Sequence, residues 1–427
     1  MEKLALLGGK PVLPQPLPPY RSLGDAEVKA VAEVMRSGCL SGFYGSWGAE
    51  FFGGPCVQTL EQSWQERFQV PHAISVNSAT SGLYAAMGAI GLSPGEEVIL
   101  PPYTMSATAM APLLYGGIPV FADIDRETFC LDPEAVCQAI TPKTRAILAV
   151  NLFGHPAPLT QLKAIAEKNN LYLIEDNAQS PLAEENQCYA GTIGDISIFS
   201  LNYHKHIHTG EGGICVTRDD RLAQRLQLIR NHGENAVEAL KLDDLTNLIG
   251  FNYRMTEMSA AVGIEQIKQI DAHVKRRERL GQNLSAGIAD LDGLTPPLVR
   301  PNCRHVYYVW AMRFDEKIVE ISRQKFSQAL SAEGFPHFIG YVRPLYFLPI
   351  FQKRIAIGDR GFPFTLSDRH YHRGLCPVTE KMYEQELLGF EPCAYAIDDE
   401  TCDRLIEALR KVYHQRHLLI ESTRDSL

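Results

Sequence analysis

From Glu61 to Thr217 the chain alternates short apolar runs with helix-like stretches, and this rhythm does most to decide what it can fold into. The strand-like runs are His72–Val76, Val98–Leu100, Pro119–Asp123, Ala146–Leu152, Leu171–Glu175, Ile196–Ser200 and Gly213–Thr217. Helical patterns separate most of them, for example Gly82–Ile90, Pro133–Ile140 and Leu159–Lys168. Strands alternating with helices build βαβ units, so the expected fold is α/β with a mostly parallel sheet. Ahead of this region, Gly24–Ser37 is expected to be an amphipathic helix with Val28, Val31, Val34 and Met35 on one face. Gly38–Pro55 is rich in glycine and aromatics and reads as a loop. Past Met255 the texture is helical through Gln282, followed by a strand at Tyr307–Arg313 and helices at Arg323–Glu333 and Asp398–His414. This places a large α/β domain at 20–255 and a smaller α+β domain at 256–427.

Composition removes several function classes. The net charge is −9 and there is no basic run, which argues against nucleic acid, since phosphate contacts need clustered Lys and Arg. No apolar stretch approaches the roughly 20 residues of a membrane span, and the proline-rich start lacks the apolar centre of a signal peptide. The 10 cysteines are scattered without CxxC pairs, so reduced thiols and a cytoplasmic protein are expected.

Four features sit at strand ends, where open α/β sheets bind ligands. Asn77-Ser78-Ala79-Thr80-Ser81-Gly82 joins a strand to a helix; it suits a phosphate at a helix N-terminus, or is an ordinary cap. Asp176, in Glu175-Asp176-Asn177-Ala178-Gln179, could bind a metal, act as a base, pair with a cationic ring nitrogen, or cap a helix. Ser200 closes a strand, and Lys205 follows among His204, His206 and His208. An isolated lysine is usually a solvated charge, but a partly desolvated one offers a neutral amine for Schiff-base chemistry. The histidines have no carboxylate or cysteine at ligand-like spacing, so no metal is expected. The fourth feature is Gly250-Phe251-Asn252-Tyr253-Arg254-Met255, by itself only a turn and a cap. Together a phosphate anchor, a strand-end acid and a covalent lysine have one economical reading, a pyridoxal 5′-phosphate site.

The motifs NSATSGL, EVILPPYT, PVFADID, EDNAQ, FSLNYHKHIHTGEGG, RNHGE and GFNYRMTEM give a specific resemblance. From about Ser22 to about Tyr413 the chain resembles the DegT/DnrJ/EryC1/StrS family of sugar aminotransferases, which have the fold-type-I architecture. The resemblance implies that Lys205 is the Schiff-base lysine and proton shuttle, that Asp176 pairs with the pyridine nitrogen, and that Gln179 lies over the ring. It implies that the Ala79 and Thr80 amides, the Thr80 or Ser81 hydroxyl and Ser200 hold the phosphate. It also implies that Asn252 reaches the phosphate of a partner subunit in a homodimer. Many relatives have an aromatic residue where this chain has Met105, whose thioether can cover a ring face. The implied reaction moves an amino group from L-glutamate or L-glutamine to a keto-sugar, nucleotide-linked, or to a keto-cyclitol. Phe43, Tyr44 and Trp47 are expected to shape the acceptor pocket, with His206, Arg254, Tyr103 and Tyr341 as further substrate-facing candidates. A sugar dehydratase of this type would carry histidine where Lys205 stands. A non-catalytic regulator would not need the full cofactor set, and an NAD dehydrogenase would need a GxGxxG turn that this chain lacks.

Overall fold

The computed structural model describes residues 2–421. Its centre is a seven-stranded sheet built from β1 (His72–Val76), β2 (Glu97–Leu100), β3 (Ile118–Phe121), β4 (Thr144–Val150), β5 (Tyr172–Asp176), β8 (Ile196–Ser200) and β9 (Gly213–Thr217). Between β5 and β8 lie the two short strands of a hairpin, β6 (Glu184–Glu185) and β7 (Cys188–Tyr189). The strand order is β1-β9-β8-β5-β4-β2-β3. Only β9 runs against its neighbours, pairing antiparallel with both β1 and β8. The central strands are apolar on both faces, as a sheet covered by helices on both sides requires. Because six strands share a direction, Val76, Leu100, Val150, Asp176 and Ser200 all end at the same edge of the sheet.

A second sheet has the order β10 (Leu294–Thr295), β12 (Trp310–Phe314), β14 (Leu387–Phe390), β13 (Phe338–Ile339) and is antiparallel throughout. The strand β11 (Cys303–Arg304) joins the β6–β7 hairpin. Two apolar cores result, and they do not divide at one point in the chain. The core under the large sheet takes in Tyr308, Tyr346 and Cys393, while Leu4, Val12 and Leu13 join the core of the small one. The N-terminal segment is tied there by Glu333, fully buried, whose carboxylate accepts from the Ala5 and Val12 amides and from Lys411 Nζ at 2.8, 3.1 and 2.9 Å.

Several expected boundaries move for identifiable reasons. The first helix, α1 (Asp25–Ser37), is capped by Gly24, whose amide donates to Glu27. Its buried positions are Glu27 and Val34, while Val28 and Met35, expected on the apolar face, are 68% and 55% exposed. Glu27 outcompetes the valine for burial because its carboxylate accepts from Gln266, on the helix Glu257–Lys268, and from Gln269, which caps that helix. The second helix, α2, spans Pro55–Phe68. The third, α3, begins at Ala79, three residues before the expected Gly82, because Ser78 Oγ caps it by accepting from the Ser81 amide at 3.1 Å. The strand expected from Tyr307 starts at Trp310, since Tyr307 sits at φ +49°, outside the β region.

Candidate active site

Every strand end named above delivers a residue to one cavity of about 220 Å³. After β1, the α3 N-terminus contributes Ser78, Ala79 and Thr80 to its wall. The Ser78 cap satisfies the Ser81 amide, and the Gly82 amide donates to Ser78 O. Among the described residues no hydrogen bond uses the Ala79 or Thr80 amide, so two dipole-aligned donors are left for an anion. This helix start lies tight against β9: a Cβ on Gly213 would come within 2.7 Å of Ala79 N. Ser81 is turned elsewhere, its hydroxyl donating to Asn77 Oδ1 at 2.6 Å.

At the end of β5 the two acids part company. Glu175 is fully buried and accepts from the Gly191, Ile193 and Gly194 amides, Asn151 Nδ2 and Ser197 Oγ, so it fastens the following loop. Asp176 turns to the cavity. Its Oδ2 accepts from Thr108 Oγ1 at 3.0 Å and its Oδ1 from the Ala178 amide at 3.2 Å. Burial pushes its carboxyl up, and the two hydrogen bonds and Lys205 pull it back. Gln179 lines the same wall, its Oε1 accepting from the Phe153 amide and its Nε2 donating to Tyr341 at 3.0 Å.

Past β8, the segment 201–212 carries Lys205 into the cavity. Burial holds the amine down to about 8, with Asp176 pulling the opposite way. Lys205 Nζ donates to Tyr308 Oη at 3.2 Å and lies 4.2 Å from the centre of that ring. Ser200 and His204 also line the cavity, and Met105, 61% exposed, is at its rim.

The structure thus gathers Ala79, Thr80, Met105, Asp176, Gln179, Ser200 and Lys205, with Tyr341, around one space. It leaves out Ser81, Asn252, Arg254, Tyr103 and His206. Tyr103 is buried and donates to Gly340 O. His206 is buried with Nε2 on Val306 O, and burial holds its ring down to about 3, so it is neutral packing. Arg254 Nε donates to Asn252 Oδ1 at 2.8 Å rather than pairing with Glu257, which accepts from the Cys56 and Val57 amides. Phe43 is buried under Arg230, Trp47 packs on Phe51 and Phe52, and Tyr44 is exposed; none lines the cavity of its own chain. Thr108 and Tyr308 are the members that motif reading missed. Among the described residues no group of three or more His, Cys, Asp or Glu could hold a metal ion, and no helix is long and apolar enough to cross a membrane.

A large mostly parallel sheet, a smaller α+β unit and an enclosed lysine beside a strand-end carboxylate define a fold-type-I pyridoxal-phosphate-dependent aminotransferase. The DegT/DnrJ/EryC1/StrS aminotransferase family profile matches residues 22–410, and the chain belongs to that family. It is 32% identical, over 436 aligned positions, to the L-glutamine:2-deoxy-scyllo-inosose aminotransferase of Streptomyces kanamyceticus, covering 98% of each chain. It is 30% identical over 410 positions to the spore coat polysaccharide biosynthesis protein SpsC of Bacillus subtilis (strain 168), covering 94% of this chain and 97% of that one. The crystal structure of DesI in the presence of its TDP-sugar product superposes with a TM-score of 0.81 at 28% identity over 99% of each chain.

Proposed function

We propose that this aminotransferase takes the amino group of L-glutamate or L-glutamine and delivers it to a ketone on a sugar or cyclitol, using pyridoxal 5′-phosphate. The observation that carries this reading is the Lys205 amine, held down to about 8, in one small cavity with buried Asp176 and the free amides of α3.

The donor set fits the cofactor. A dianionic phosphate suits the Ala79 and Thr80 amides, with the Thr80 and Ser200 hydroxyls beside them. Asp176, already buried and fixed by Thr108, suits a protonated ring nitrogen, which would supply the positive partner its carboxylate lacks. Gln179 and Met105 would flank the ring. When bound, the cofactor supplies an electron-withdrawing ring that acidifies the substrate Cα–H. Lys205 would hold the cofactor aldehyde at rest and, once displaced by the substrate amine, would move the proton between the substrate Cα and the cofactor's C4′. Tyr341, fixed by Gln179, would help keep water from the exchange.

The choice of acceptor rests on the relatives. The Streptomyces kanamyceticus enzyme is named for a cyclitol and the DesI structure for a TDP-sugar, so both classes are candidates. Asn252 is exposed and lies outside the cavity of its own chain, which supports a homodimer in which it serves the neighbouring site.

Borohydride reduction of the cofactor-loaded protein followed by mass spectrometry should place the cofactor on Lys205 and nowhere else. Adding L-glutamate or L-glutamine beforehand should remove that label, and the aminated enzyme should then react with keto-cyclitols or nucleotide-linked keto-sugars. A label that persists with both donors would overturn the transamination reading.

A further inference from the structure

Tyr308 reaches Lys205 from a segment with no other business in the site. Residues 305–309 run along the 152–154 turn, with the Val306 amide donating to Gly154 O at 2.8 Å and the Val309 amide to Phe153 O at 3.0 Å. His206, the residue after the lysine, donates from Nε2 to Val306 O at 2.8 Å and ties the two segments together. This bond gives buried His206 a purpose: it fixes the spacing between the lysine and the tyrosine. Tyr308 is 7% exposed and stacks at a tilt against both His204 and His206. Among the described residues its side chain has one hydrogen bond, the 3.2 Å bond that its oxygen accepts from Lys205 Nζ, while its ring face lies 4.2 Å from the same nitrogen.

We propose that Tyr308 is the positioning residue for Lys205, its oxygen and ring face together cradling the lysine as an ammonium whenever it is not covalently engaged. This rests on the reading of Lys205 as the proton-transferring lysine. A lysine released from covalent attachment is a flexible chain with four rotatable bonds, and it must stay within reach of the substrate carbon while it carries the proton. A phenol supplies what that requires. It is neutral, because burial pushes its own ionisation far up, so it accepts from the ammonium without taking its proton. The ring adds a cation–π contact that a neutral amine would not gain. The other groups facing the amine are Asp176, His204, His206, Cys393 and Glu391. Of these only the two carboxylates and the Cys393 thiol favour the charged form, and Asp176 becomes committed elsewhere once the ring nitrogen is bound. Tyr308 remains to hold the ammonium.

The test is the pH dependence of competitive acetic anhydride labelling of Lys205 in the full-length, cofactor-stripped protein, read by mass spectrometry. The wild-type midpoint is expected near about 8. Tyr308→Phe keeps the ring and loses the oxygen, so the midpoint should fall by roughly half a unit to one unit. Tyr308→Leu loses both and should fall further, by about one more half-unit. In the loaded enzyme Tyr308→Phe should lower kcat about tenfold and leave the glutamate KM within about twofold. Variants whose labelling midpoints match wild type would overturn the proposal, whatever their thermal stability, because a merely structural role does not move that midpoint. Failure of wild-type Lys205 to capture cofactor would sink the functional reading instead, and the labelling series would still report what Tyr308 does to the amine.

Discussion

Lys205 is pulled in two directions. Burial favours its neutral amine and Asp176 favours its ammonium, with burial winning to leave it near 8 instead of its ordinary 10.5. The sign of a substitution follows. Asp176→Asn removes the group that favours the ammonium, so the pH at which Lys205 becomes reactive should fall below the wild-type midpoint in the same labelling experiment. It should also cost about 10²–10³-fold in kcat, because the charge that stabilises the ring nitrogen is gone. A variant with unchanged midpoint and activity would remove Asp176 from the site. At this scale the motifs are informative as far as they reach: Lys205, Asp176 and Gln179 announce themselves by their neighbours in sequence. Thr108 and Tyr308 do not, because they meet their partners across 68 and 103 residues and no local pattern marks them. The same limit explains Arg254 and Tyr103, which lie inside motifs but point away from the cavity.

Among the elements, α3 and β9 decide how well an anion can be held. The α3 start is pinned between its Ser78 cap and the backbone of Gly213, which pairs with both Val76 and Ser200. A methyl at Gly213 would stand 2.7 Å from Ala79 N and 2.8 Å from Ser78 C, contacts that only backbone movement can relieve. Gly213→Ala is therefore expected to cost about 1–3 kcal/mol in urea unfolding and to weaken cofactor retention measured by dialysis. Retention equal to wild type would mean that the α3 amides do not hold the phosphate. Most of the sheet can be read from the chain, since buried parallel strands are continuous apolar runs and need little context. The α3 start is harder, because a glycine at position 82 looks like a breaker. In the fold it is a close-packing residue, with Cys215 Sγ 2.9 Å from where its Cβ would be. The small sheet is less legible still: β10 and β13 have two residues each, and tertiary pairing alone makes them strands.

Over the whole molecule, several side chains are left without a use in their own chain's cavity. Val28 and Met35 on α1 and Tyr44 in the 38–55 loop are exposed, as is Asn252, which accepts from half-buried Arg254. A homodimer, as proposed above, gives the last two a destination. Lys205→Ala and Asn252→Ala proteins, each weak or inactive alone, should then regain activity when refolded together, because the mixed dimer rebuilds one complete site. Mixed protein no more active than the sum of its parts would place Asn252 outside the reaction. The sequence marks Gly38–Pro55 as a glycine-rich aromatic loop and suggests an acceptor pocket for Phe43, Tyr44 and Trp47, but tertiary packing decides where those rings point, and none of them lines the cavity of its own chain.

The lone reversal of direction at β9 has a mechanical meaning. Parallel neighbours need a connection that carries the chain back across the sheet before the next strand begins, whereas β8 and β9 turn back at the edge where β8 ends. The segment bearing Lys205 is therefore a bight made fast at both ends, at Ser200 and Gly213, which face each other across one pair in the ladder. On the function proposed above, tension on the lysine from a covalently held molecule would divide between two strands and be resisted in shear by their hydrogen bonds. The anchorage would stay put while the line is cast off and retied.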